Sequence, residues 1–233
     1  MSTYVLVHGA WHGAWSWEKI IPLLEKAGHR VVAWDLPGHG EDRTPVSEAS
    51  MESYVDSVCK VLDAQPEPVI LVGHSLGGVP ITQAAEYRPD KVKTLVYIAA
   101  VLLQNGESPL NVPDTDSLLG PNMVVGEDGS VTIRDEVIRE AWYSDCSDED
   151  AAWARAHLCP QNPNTFTTPV STTEENFGRI PRVYIECLLD KALSPWVQKK
   201  MYTDVPCQVI SMNTNHSPFL SAPEELVAHL TSL

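Results

Sequence analysis

This 233-residue sequence predicts an α/β fold: a mostly parallel central sheet flanked by helices, with a small inserted lid. Three observations predict it. Short apolar, β-branched runs alternate with helical patterns at both ends of the chain. The runs are too uniformly apolar to keep one face in water, so they suit a sheet covered on both sides and joined by helical crossovers. The alternation stops between residues 101 and 180 and then resumes, which reads as an insertion between sheet strands.

Each element follows in order. Tyr4-Val5-Leu6-Val7 is a buried strand. Trp17, Ile20, Ile21 and Leu24 share a helical face; Pro22 confines its first turns and Gly28 ends it. Val31-Val32-Ala33-Trp34 is a second strand, and Leu36-Pro37-Gly38-His39-Gly40 is the turn after it. Ser50 caps a helix with apolar positions Met51, Tyr54, Val55, Val58 and Leu62, broken by Pro66 and Pro68. Val69-Ile70-Leu71-Val72 is a third strand, residues 76–87 a helix, and residues 92–99 a fourth strand. Inside the insertion a hairpin is expected at residues 123–131, with helices near 134–143 and 148–157. Arg182-Val183-Tyr184-Ile185-Glu186 resumes the sheet. A helix near 194–202, a last strand at Cys207-Gln208-Val209-Ile210 and a C-terminal helix opened by Pro223 complete the chain. The expected division is a core of residues 1–100 and 181–233, with the lid at 101–180.

Sixteen basic against 31 acidic side chains give a net charge of −15. Such a surface repels phosphate backbones and anionic lipids, so nucleic acid and membranes are not expected partners. No apolar run reaches transmembrane length, and the N-terminus runs into a strand pattern without a basic leader. Cys59, Cys146, Cys159, Cys187 and Cys207 are scattered, with no CxxC pair. That argues against a metal site or a disulfide framework and for a reducing cytoplasm. A homodimer is compatible with this composition.

Gly73-His74-Ser75-Leu76-Gly77-Gly78 matches the nucleophile-elbow pattern G-x-S-x-G. The chemistry needs a sharp strand-to-helix turn that lifts a serine oxygen above the sheet. Neighbouring positions must lack bulk, and the helix N-terminus then offers amides to a developing oxyanion. The pattern is short, but here it lies between an apolar strand and a helix. His8-Gly9-Ala10-Trp11 follows the first strand, so the Ala10 and Leu76 N–H groups are the expected oxyanion hole.

Eight histidines compete to be the base. In folds built on this elbow the order along the chain is serine, acid, histidine. Only His216 lies between the last strand and the last helix; His74 adjoins Ser75 but points away from it, and His8 suits a structural hydrogen bond. Asp190, just past the fifth sheet strand, is the expected acid, with Glu186 as its rival; Asp204 sits at the wrong end of the sheet. Asp35 reads as a structural acceptor for turn amides. Trp11, Trp142, Tyr143, Trp153 and Phe166 are candidates for an apolar pocket wall.

The stretch Val7-His8-Gly9-Ala10-Trp11-His12-Gly13-Ala14-Trp15 takes its place beside three others. They are the turn Asp35-Leu36-Pro37-Gly38-His39-Gly40, the elbow, and Asp190-Lys191-Ala192 with Pro195 and Gln198. Together they resemble, nearly end to end, the small α/β-hydrolases related to plant methyl-ester esterases and hydroxynitrile lyases. The resemblance implies a cofactor-free enzyme with Ser75, Asp190 and His216 as triad, and it favours Asp190 over Glu186. Hydroxynitrile lyases of the group carry a threonine after the first-loop histidine and a lysine after the catalytic one; here those places hold Gly9 and Ser217. The expected function is hydrolysis of small, neutral, apolar or aromatic carboxylic esters through an acyl-Ser75 intermediate. A cyanohydrin-type carbon–carbon lyase, a cofactorless oxygenase and a non-catalytic small-molecule receptor are the rival readings.

Overall fold

The computed structural model describes residues 1–233. Its strands are β1 (Thr3–Val7), β2 (Arg30–Ala33), β3 (Val69–His74), β4 (Val92–Ile98), β5 (Met123–Val125), β6 (Val131–Ile133), β7 (Arg182–Cys187) and β8 (Gln208–Met212). Its helices are α1 (Ile20–Lys26), α2 (Met51–Asp63), α3 (Gly78–Tyr87), α4 (Asp135–Trp142), α5 (Asp148–His157), α6 (Pro195–Asp204), α7 (Pro218–Ser221) and α8 (Pro223–Thr231). Six strands form one sheet in the order β2-β1-β3-β4-β7-β8, and every neighbouring pair in it is parallel. The sheet is therefore wholly parallel, where the sequence predicts a mostly parallel one.

The central strands are buried throughout, as their apolar runs require. All six residues of β3 are buried. The edges differ: β2 and β8 are only partly covered, because each lacks a neighbour on one side. The structure also moves several boundaries. The first helical stretch splits into a 3₁₀ turn at Ala14–Trp17 and α1, with Pro22 in the first turn of α1, where a proline costs no hydrogen bond. The final stretch divides into α7 and α8, each opening on a proline. Ser50 caps α2 as expected, through a reciprocal pair with Ser53. Helix α3 buries nine of its ten residues, so the helix that follows the elbow is held rigidly inside the molecule.

Between β4 and β7 the chain leaves the sheet. It forms the antiparallel β5–β6 hairpin, then α4 and α5. Buried and half-buried polar contacts tie this segment to the rest. Asp114 accepts from the Ser194 N–H at 2.8 Å and its hydroxyl at 2.7 Å, at the start of α6. Glu86 of α3 accepts from the Thr173 and Phe177 amides at 2.9 and 3.1 Å. The Trp11 indole donates to the Val131 carbonyl at 2.8 Å. No helix is long and apolar enough to cross a membrane.

Candidate active site

Strand β3 ends at His74, and Ser75 follows with a φ of 52°, in the left-handed region. Two other non-glycine residues share that region: Trp11, beyond β1, and Ala99, directly after β4. All three lie past the C-terminal ends of adjacent strands. Such conformations cost about 1–3 kcal/mol each and collect where chemistry is done. Close packing explains the glycines around them. A Cβ at Gly9 would stand 2.7 Å from the Ser75 Cβ, and one at Gly77 would stand 2.6 Å from the His8 carbonyl oxygen. The loop after β1 therefore lies against the elbow with no room for side chains between them.

His216 is buried in the loop between β8 and α7, with its Nδ1 2.7 Å from Asp190 Oδ2. All other neighbours of the carboxylate are donors. Oδ1 accepts the Ala192 and Leu193 amides at 2.8 and 2.9 Å, and Oδ2 also accepts from Gln198 Nε2 at 3.0 Å. A carboxylate so surrounded has no free lone pair to turn away, so its direction is fixed. The His216 Nδ1 must then carry the hydrogen, which leaves Nε2 as an acceptor. That Nε2 is buried and hydrogen-bonded to no group, Ser75 included. The ring packs 4.6 Å from the His74 ring, centroid to centroid, and His74 Nε2 donates to the His216 carbonyl at 2.9 Å. His216 is thereby anchored to the residue next to Ser75.

Glu186 goes elsewhere. Its carboxylate accepts from Ser211 at 2.6 Å and from Tyr202 of α6 at 3.1 Å, so it bonds within the β7–β8–α6 layer and not to His216. Asp35 accepts the Ala14 and Glu41 amides at 2.7 and 2.9 Å, a turn-holding role.

The loop after β1 brings Ala10 to the same edge of the sheet. Its N–H has no protein acceptor. Leu76 opens the turn into α3, where amides lack intrahelical partners. Two histidines hold the carbonyls around Ala10. His8 Nε2 accepts the Leu36 amide at 3.0 Å, so its Nδ1 donates to the Gly9 oxygen at 2.9 Å. His12 Nδ1 lies 2.7 Å from the Ala10 oxygen, and its Nε2 lies 2.8 Å from the Tyr143 hydroxyl. Burial, above all, holds both imidazoles far below their ordinary range, His12 at about 3.

The expected pocket residues divide. Trp11 packs against Trp142 and Phe166, with centroids 5.5 and 5.8 Å apart. Trp11 and Trp142 also line a cavity of about 290 Å³, with Ile133, Ile138 and Leu158. Tyr143 is fully buried on His12. Trp153 lies apart from this cluster, edge-on to Trp15 at 5.3 Å and against His157. No group of three or more His, Cys, Asp or Glu side chains is arranged to hold a metal ion.

Three polar residues hold the site in ways to which the sequence reading assigns no role. Gln198 orients Asp190; its signal is a polar side chain between Val197 and Met201 on the buried face of α6. Asn215 joins the His216 loop to the α4 end, donating to the Glu140 oxygen at 3.1 Å and Ser144 Oγ at 2.8 Å. Gln161 accepts the Trp11 amide at 3.3 Å and also bonds His39, Tyr54 and Thr165. Neither of the last two carries a local signal, because all their partners except Thr165 are remote in the chain.

Residues 4–229 match the model of the alpha/beta hydrolase family. Methylesterase 9 of Arabidopsis thaliana is 30% identical over 251 aligned positions, covering 100% of this chain and 98% of that protein. A pyrethroid hydrolase of Sphingobium wenxiniae is 34% identical over 238 positions, covering 95% of this chain and 84% of that protein. Among solved structures, a methylesterase from Arabidopsis superposes with a TM-score of 0.86 at 29% identity, over 100% of this chain and 98% of the other.

Proposed function

The chain belongs to the alpha/beta hydrolase family, and on that premise we propose that it hydrolyses small, neutral, apolar or aromatic carboxylic esters through an acyl-Ser75 intermediate, without a cofactor. One observation carries the proposal most: the buried Asp190–His216 pair, 2.7 Å apart, with a free Nε2 on an imidazole anchored to the residue before a strained serine. Ser75 Oγ attacks the acyl carbon while His216 Nε2 takes its proton. The tetrahedral oxyanion faces the Ala10 and Leu76 N–H groups. His216 then gives the proton to the leaving alcohol, and water repeats the sequence on the acyl-enzyme. Residues 101–180 act as the lid over this edge of the sheet, with Trp11, Trp142 and Phe166 as apolar wall.

Relatives named as methylesterases and as a pyrethroid hydrolase support hydrolysis. Gly9 supports it over cyanohydrin cleavage, since a side chain at that position would collide with Ser75 and His74. Ser217 brings no cation beside His216. Ser75→Ala is expected to fold normally and to lower kcat for p-nitrophenyl acetate by roughly 10³-fold or more. A fluorophosphonate probe should label Ser75 alone. Unchanged turnover in the alanine variant would sink the proposal, and failure to label would favour a receptor.

A further inference from the structure

We propose that His12 is a positioning residue that aims the Ala10 oxyanion donor, and that Tyr143, from the segment between β4 and β7, holds the ring in place on the Ala10 carbonyl by donating to its far nitrogen. The inference rests on the ester-hydrolase reading above. The ring of His12 is 1% exposed and bridges two groups. Its Nδ1 lies 2.7 Å from the Ala10 carbonyl oxygen and its Nε2 lies 2.8 Å from the Tyr143 hydroxyl. A carbonyl only accepts, so Nδ1 carries the hydrogen. A neutral imidazole has a single N–H, so Nε2 accepts and Tyr143 donates. Burial keeps both partners in these states: it pushes His12 down to about 3 and the Tyr143 phenol well above its usual range.

The consequence falls on Ala10. His8 holds the Gly9 carbonyl at 2.9 Å, and the Ala10 N–H lies in that same peptide plane, pointing the opposite way. His12 holds the next carbonyl, so both peptide planes meeting at the Ala10 Cα are pinned. The following residue, Trp11, is strained at a φ of 61°. Without the His12 contact that peptide is held only by Gln161, which accepts its Trp11 N–H at a long 3.3 Å, so the plane tilts to relax the strain and the Ala10 N–H is drawn off line with it. Tyr143 is the C-cap of α4, so the setting of the donor depends on a residue delivered by the segment outside the sheet.

Two substitutions separate the two bonds. An asparagine amide nitrogen reaches where Nδ1 stands, and a glutamine amide nitrogen reaches where Nε2 stands. His12→Asn keeps the bond to Ala10 and is expected to lose about threefold in kcat. His12→Gln keeps only the Tyr143 side and is expected to lose about tenfold or more, with KM within about twofold. Tyr143→Phe removes one buried oxygen; it is expected to lower kcat with KM unchanged and to shift the His12 Nε2 resonance in ¹⁵N side-chain spectra as that nitrogen loses its donor, the hydrogen staying on Nδ1. The wild-type spectrum should show Nδ1–H alone. Equal losses in the asparagine and glutamine variants, losses that simply follow Tm, unchanged kcat in Tyr143→Phe, or an Nε2–H wild type would each overturn the proposal. Full turnover in Ser75→Ala would instead overturn the ester-hydrolase reading beneath it.

Discussion

Asp190→Asn exchanges one oxygen for an NH₂ group, and its surroundings dictate which one. Oδ1 accepts two backbone amides, from Ala192 and Leu193, so the new amide must keep its oxygen there. Its NH₂ then occupies the Oδ2 place, facing His216 Nδ1 and Gln198 Nε2, both of them donors. Gln198 cannot turn over to help. Its Oε1 accepts the Cys187 amide at 3.0 Å and its Nε2 also donates to the Leu193 oxygen at 2.7 Å. The remaining escape is for His216 to move its hydrogen to Nε2, which removes the lone pair that the proposed mechanism uses to take the proton from Ser75. The variant is therefore expected to fold, with a loss of about 1–3 kcal/mol from the donors left unpaired. It should lose roughly 10³- to 10⁴-fold in kcat. Stopped assays with p-nitrophenyl acetate, run well below the Tm of the variant, measure this. More than about a tenth of wild-type kcat in a folded Asp190→Asn protein would refute the tautomer argument.

Two stability predictions accompany the activity ones. His8, His12 and His74 are held neutral by burial first, and then by their proximity to other imidazoles. Unfolded, they bind protons near pH 6.5, so the unfolded state gains protons that the folded state refuses, and stability is full above that pH and lost as pH falls. Three such groups amount to about 3–4 kcal/mol between pH 6 and pH 5; urea midpoints that do not move across this interval would contradict the assignment. Gly77→Ala forces a Cβ to within 2.6 and 2.8 Å of the His8 and Val7 carbonyl oxygens, which belong to β1 and its exit and cannot swing aside. It should cost about 3 kcal/mol or more in denaturant unfolding, and a wild-type midpoint would mean that the elbow and the first loop are less tightly joined than they stand.

Much of the fold is legible locally. The apolar runs of β1, β3 and β4 announce buried parallel strands because only two-sided burial tolerates them. The edge strands are read less well, since β8 extends to Met212 with a half-exposed face. The aromatic wall was legible only as a set of large side chains. Which of them cluster depends on how α4 and α5 lie on the core, and that arrangement puts Trp153 against Trp15 and not with Trp11.

The strand–turn–helix context of Ser75, the tight glycines around it, and the order of Ser75, Asp190 and His216 along the chain are all written in local sequence. These are properties of neighbours, and local sterics and periodicity express them directly. Folding in three dimensions is what pairs His216 with Asp190 and turns Glu186 to Tyr202 and Ser211. It alone supplied Gln198 as the partner of Asp190, fixed the hydrogen of His8 and brought Tyr143 to the far nitrogen of His12. The physical reason is that a hydrogen's place on an imidazole is set by the group facing its other nitrogen. For His8 that group is the Leu36 amide, 28 residues away, and packing alone brings it there.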